Sequence, residues 1–144
     1  MLKALSILAY LAMVGGLIGL LVTRHLLSPS PFVIVPQVAG TLLVLWARVA
    51  FGRRSFHLAA NPTEGGLVRT GPYRFIRHPI YTGICLITGA GGLAHSSWLA
   101  AGLWTLVLAS ALFRLFSEER LVSQRYPEYQ EYAGRTWRMV PFVF

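Results

Sequence analysis

The chain has 144 residues, room for one domain, and is 55% hydrophobic with only 12% charged residues, about half the charged share of an ordinary soluble domain. Such a composition cannot coat a soluble globule, and the apolar residues come in long runs, which assigns them to lipid. The balance is basic, 13 Lys and Arg against 5 acidic residues, all of them Glu; in a membrane protein this excess is read first as the positive-inside bias, so binding to nucleic acid is not needed to explain it.

The first segment, about 4–22, carries no charge; Lys3 precedes it and Arg24 and His25 follow. It is too long for the apolar region of a signal peptide and no clear small-x-small cleavage site follows, so a retained transmembrane helix is expected. Ser28-Pro29-Ser30-Pro31 reads as a short loop. The second segment, about 32–50, is interrupted only by Gln37 and Arg48, and its length suits a bilayer core of about 30 Å. Pro36 lies in its first turns, where a missing N–H costs least.

From 51 to 79 the character changes. Arg53, Arg54, Arg69, Arg74 and Arg77 alternate with Gly and Pro, too polar to span, while Phe51, Phe56, Leu67, Tyr73 and Phe75 anchor the stretch as an ordered loop. Loops of this length inside a compact domain are usually functional. Between Ile80 and Phe113 no Lys, Arg, Asp or Glu occurs, and small or polar residues (Gly89, Gly91, Gly92, His95, Ser96, Ser97) sit mid-way. This predicts a helical hairpin with arms at about 80–93 and 98–116, the first arm short for a full crossing. Gly83, Gly89 and Gly92 are expected to let the arms approach closely. The tail, 117–144, is charged and amphipathic, with a helix expected over about 118–133 broken at Pro127.

The expected fold is therefore an all-α polytopic bundle of about four spans, a single domain over 1–144 divided into two N-terminal spans (1–52) and a loop, hairpin and tail (53–144). Four spans put the N-terminus, the loop and the tail on one side, with every Arg except Arg24 at that boundary, so this side is expected to be cytoplasmic. The lone Cys85 makes no disulfide framework, and His25, His57 and His95 show no ligand spacing; no metal is expected.

Two clusters carry chemistry. The stretch Gly71-Pro72-Tyr73-Arg74-Phe75-Ile76-Arg77-His78-Pro79-Ile80-Tyr81-Thr82-Gly83 enters the hairpin, and Arg114 with Glu118 and Glu119 leaves it. Opposed cations and anions at a membrane boundary suit a zwitterionic ligand. Plainer readings stand beside this one: Arg74, Arg77 and Arg114 as snorkelling anchors, Glu118 and Glu119 as first-turn carboxylates of a tail helix, and the tail tyrosines as belt aromatics.

The pattern Gly-Pro-Tyr-Arg-x-x-Arg-His-Pro-x-Tyr-x-Gly, followed by Glu-Glu-x-Leu and a Tyr-x-x-Tyr tail, resembles isoprenylcysteine carboxyl methyltransferases, within a wider group that includes phospholipid N-methyltransferases and bacterial relatives. The resemblance covers about 53–141. It implies S-adenosylmethionine as cofactor, bound at His78, Pro79, Ile80 and Tyr81 and lined by Gly65, Gly66, Leu67, Val68 and Tyr73, with Arg77 and Glu119 adjoining. It implies that Arg114 and Glu118 contact the methyl acceptor, with Tyr129 in support. It also implies a lipophilic acceptor, first an isoprenylcysteine carboxylate, with a phospholipid amine, a thiol or another small lipophilic acid as the alternative, and a bacterial inner-membrane setting.

The chemistry of the residues agrees. The cofactor's carboxylate wants Arg, His or backbone N–H donors, and Tyr73, Phe75 and Tyr81 can wall an adenine. A carboxylate acceptor is already a nucleophile at neutral pH and needs positioning more than a base; an Arg114 fork suits that task. Two other readings stay open. A membrane reductase using NADPH would need extra basic contacts, for which Arg53, Arg54 and Arg69 are candidates, and a non-catalytic adaptor would use the motif for packing alone.

Overall fold

Breakers and caps divide the apolar sequence into helices. The computed structural model describes residues 2–52 and 66–144; Arg53, Arg54, Phe56, His57 and Gly65 lie outside the described residues. Helix α1 spans Leu2–Val22 and α2 spans Pro31–Phe51, with Pro31 at the first helical position, where its fixed φ and missing N–H are tolerated. Helix α3, Pro79–Ala94, starts in the same way at Pro79. Helix α4, Trp98–Arg125, is capped by Ser97, whose side chain accepts from the Ala100 N–H. A short α5, Tyr129–Gly134, follows. Among the described residues no strand occurs, and one isolated parallel bridge joins Ile76 to Trp137.

The chain is an integral membrane protein built as an all-α polytopic bundle. Three helices, α1, α2 and α4, are long and apolar enough to cross a membrane. Their outer faces stay apolar where nothing in the bundle covers them, as at Phe32, Val49 and Trp98, a surface that water would not tolerate but lipid does. Helix α3 has 16 residues, about 24 Å of rise, so it falls short of a core of about 30 Å.

The tail helix does not begin at Glu118. Helix α4 runs unbroken through Ser117, Glu118 and Glu119 to Arg125, because nothing in that stretch breaks a helix before Pro127; chain direction changes at Tyr126–Glu128. Glu118 and Glu119 are therefore late residues of a long helix, one turn beyond Arg114, and not first-turn carboxylates.

Helix α2 packs on α3, α3 on α4, and α4 on α1. Gly83 does not serve the α3–α4 contact expected of it. It faces α2, where a Cβ would lie 2.6 Å from the Gly40 carbonyl oxygen and 2.5 Å from Val44 Cγ2. Gly89 and Gly92 do face α4, against Trp104. One core cluster joins Met13, Tyr81, Val107, Ala111, Leu115 and Met139 near the end where residues 66–78 and the tail gather; a second joins Leu20, Leu26 and Ala100 at the other end.

Candidate active site

Local sequence sets the entry to α3. Gly71, at φ 59°, opens a 3-10 turn over Gly71–Arg74 and lies so close to Ala50 and Trp46 of α2 that a Cβ would clash. The turn buries Pro72 and Tyr73. His78 occupies the cap of α3, its carbonyl accepting from the Thr82 N–H and hydroxyl at 3.0 and 3.1 Å.

The C-terminal tail runs beside this entry. Arg77 N–H donates to the Trp137 carbonyl at 2.7 Å, His78 N–H to the Arg138 carbonyl at 2.9 Å, and Trp137 N–H to the Phe75 carbonyl at 3.0 Å. Thr82 adds a bond to the Met139 carbonyl at 2.9 Å. The Tyr132 hydroxyl donates to the Tyr73 carbonyl at 2.7 Å, fixing α5 over the 3-10 turn.

Helix α4 supplies the opposite wall. Arg114 is buried in protein and donates from all three nitrogens: Nε to the Tyr81 hydroxyl at 2.9 Å, Nη1 to the Ser6 carbonyl at 3.0 Å, and Nη2 to Glu118 Oε1 at 3.2 Å. Its guanidinium also lies 5.1 Å from the Tyr10 ring centre. The Tyr81 hydroxyl in turn donates to Glu118 Oε1 at 2.5 Å, so one carboxylate oxygen closes an Arg–Tyr–Glu ring of charge-assisted bonds.

Glu119 faces the tail. Arg77 Nε donates to its Oε1 at 2.8 Å and Arg138 Nε to its Oε2 at 3.1 Å. Arg77 Nη1 reaches the Ala133 carbonyl at 2.9 Å and the Thr136 carbonyl. Arg77 and Glu119 thus tie α3, α4 and the tail together.

His78 lies between the two glutamates. Its Nδ1 is 3.9 Å from Glu118 Oε2, and its Nε2 is 3.4 Å from Glu119 Oε1. That second contact is out of line for a hydrogen bond, which leaves Nε2 buried and without a hydrogen-bond partner.

These groups line one cavity of about 410 Å³, within the size range of small-molecule sites. Every described residue of the expected site borders it: Gly66, Leu67, Val68, Tyr73, Arg77, His78, Pro79, Ile80, Tyr81, Arg114, Glu118 and Glu119, with Tyr129. Gly65 lies outside the described residues. Phe75 is not on the cavity wall; it is half-exposed under Arg74, whose guanidinium is 5.1 Å from its ring centre. Burial raises the phenols of Tyr73 and Tyr129 well above their ordinary range and pushes Tyr132 up to about 12, against the opposing pull of Arg77 and Arg69. All three stay protonated at neutral pH.

The cavity also has a wall that sequence reasoning missed. Tyr10, Met13, Val14 and Leu17 of α1 line the cavity, as do Arg48 and Phe51 of α2. A signal was present: Ser6, Tyr10, Met13 and Leu17 recur at helical spacing on one face of an otherwise uniform run.

The phospholipid methyltransferase family matches residues 30–129, from the start of α2 to the first residue of α5. The chain belongs to that family. It is similar to the nickel-cobalt-cadmium resistance protein NccN of Alcaligenes xylosoxydans xylosoxydans, 42% identical over 81 residues that cover 52% of this chain and 36% of the relative. It is also similar to the cobalt-zinc-cadmium resistance protein CzcN of Cupriavidus metallidurans, 37% identical over 78 residues that cover 52% of this chain and 35% of the relative. The chain spans about a third of the length of these two curated relatives. No solved structure matches.

Proposed function

We propose that this phospholipid methyltransferase family member moves the methyl group of S-adenosylmethionine to a lipophilic acceptor, at a site on the cytoplasmic side of a bacterial inner membrane and within one catalytic domain over 1–144. The observation that carries this reading is the mixed lining of one cavity: His78, whose Nε2 is buried without a hydrogen-bond partner, borders it together with Met13, Val14 and Leu17 of a membrane helix.

The residues present fit the cofactor. His78 Nε2 suits an anionic carboxylate, the backbone of 66–68 offers N–H groups, and the neutral phenols of Tyr73, Tyr129 and Tyr132 suit an aromatic base. When bound, S-adenosylmethionine supplies an electrophilic methyl group. Arg77 and Glu119 then act as positioning residues that hold the tail over the site.

The acceptor reading turns on Arg114. Its three nitrogens are engaged by Tyr81, Ser6 and Glu118, so no free fork remains for a carboxylate. The cavity offers Glu118 Oε2 instead, with His78 Nδ1 3.9 Å away. This supports a protic head group, an amine or a thiol, that donates a hydrogen bond to Glu118 Oε2 and gives its proton to the Glu118–His78 pair as the new bond forms. An isoprenylcysteine-like carboxylate is the second reading, favoured by the motif over 71–83. The NADPH reading gains no support: Arg69 is turned to the Glu128 carbonyl at 3.5 Å and the Tyr132 ring. By likeness to the two resistance proteins, the reaction is proposed to serve metal tolerance.

Transfer of labelled methyl from S-adenosylmethionine in proteoliposomes tests both points. With phosphatidylethanolamine or a long-chain thiol, Glu118→Gln is expected to lower the rate by about 100-fold or more. An undiminished rate with an S-prenylated cysteine carboxylate would move the carboxylate reading to the front. No transfer to any of the three would sink the proposal.

A further inference from the structure

Two histidines that are far apart in the sequence meet at the end of the bundle away from the cavity. His25 follows α1 and His95 follows α3; their ring centres are 5.3 Å apart and their planes 86° apart. We infer that they form an exchangeable site for a borderline transition-metal dication such as nickel, cobalt or zinc. This inference does not rest on the methyl-transfer reading.

Both residues are held in place by the fold. The His25 N–H donates to the Leu20 carbonyl at 2.9 Å. Next to it, the Leu26 carbonyl accepts from Gln37 Nε2 at 2.6 Å, and the same amide donates to the Ile87 carbonyl at 3.1 Å. Gly91 packs so tightly on the Leu26 backbone that a Cβ would fall 2.1 Å from its oxygen. The turn carrying His25 is thus fastened to the end of α3 that carries His95.

The nitrogens are in a state suited to ligation. His95 Nδ1 lies 2.8 Å from the Gly91 carbonyl. A carbonyl can only accept, so Nδ1 carries the hydrogen, and in the neutral ring this leaves the lone pair on Nε2, the arrangement common in metal-ligating histidines. His25 Nδ1 is buried and has no hydrogen-bond partner, a loss that a metal ion would make good. Two imidazoles on one tetrahedral ion, each nitrogen about 2.1 Å from it, have ring centres about 5 Å apart, close to the separation found here.

Among the described residues no third His, Cys, Asp or Glu joins the pair. Water or an anion would complete the coordination, which makes the site open rather than structural. Both residues are only half-buried, which keeps the pair near the surface at this end of the bundle. Imidazole nitrogen suits nickel, cobalt, copper and zinc over magnesium or calcium.

The test is calorimetric titration of nickel(II) into tag-free, chelator-stripped, detergent-purified protein, with His25→Gln and His95→Gln alongside. One ion per chain is expected, bound at least tenfold more weakly by each variant, while His78→Ala binds it as the unaltered protein does. Should either variant fail to fold, the unaltered protein still decides: bound nickel is expected to shield His25 and His95 from diethyl pyrocarbonate. No saturable binding, equal affinity in both His variants, or no shielding would reduce the pair to an edge-to-face aromatic contact and overturn the inference.

Discussion

At Tyr81 a single hydroxyl accepts from Arg114 and donates to Glu118, so its removal breaks two charge-assisted bonds at once. Tyr81→Phe is expected to cost about 1–3 kcal/mol of stability, the usual cost of unpairing a buried polar partner, and to lower methyl transfer more than cofactor affinity. A thermal melt with a binding titration checks this; an unchanged melt would mean that Arg114 is held by Ser6 and Glu118 alone. The identities of His78, Tyr81, Arg114 and Glu118 were legible in the sequence as a motif with chemical meaning. Their bonding was not, because Arg114 lies 33 positions from Tyr81 and 108 from Ser6, and no local rule fixes such pairings. The same gap hid the engagement of all three Arg114 nitrogens by Tyr81, Ser6 and Glu118.

At the scale of elements, charge-free runs and Pro or Ser boundaries located α1, α2 and the start of α3 within a few residues, since breakers and caps act locally. The end of α4 was misplaced because charge marks the membrane boundary, not the helix end, and Glu, Arg and Leu continue a helix readily. The partner of Gly83 was unreadable for a different reason: a small residue permits close approach without saying to which neighbour. Gly83→Ala is expected to destabilise the bundle by forcing α2 and α3 apart at Gly40 and Val44. Gly102→Ala, on α4 with nothing within 4 Å of its added Cβ, should be neutral or gain up to about 1 kcal/mol from helix propensity. Equal melting of the two variants would contradict the α2–α3 packing. The α1 contribution to the cavity belongs to this scale too; a helix with little polar patterning reveals its inner face only when its neighbours are known.

At the scale of the molecule, helix direction gathers residues 66–78, the end of α4 and the tail at one end and His25 with His95 at the other. The arginine asymmetry is the ground for the orientation proposed above. In a Cys85→Ser background, Leu27→Cys is expected to react with an impermeant maleimide from the outside of intact spheroplasts, and Gln124→Cys only after permeabilisation. The reverse pattern would place the cavity outside. The proposal that this phospholipid methyltransferase family member transfers methyl groups at its cavity stands or falls on cofactor binding. Calorimetry of S-adenosylhomocysteine against the detergent-purified protein, with NADPH titrated separately and His78→Ala as the comparison, tests it most directly. Saturable binding of S-adenosylhomocysteine is expected, weakened at least tenfold in His78→Ala with little change in melting. Absence of binding, or binding of NADPH alone, would contradict it.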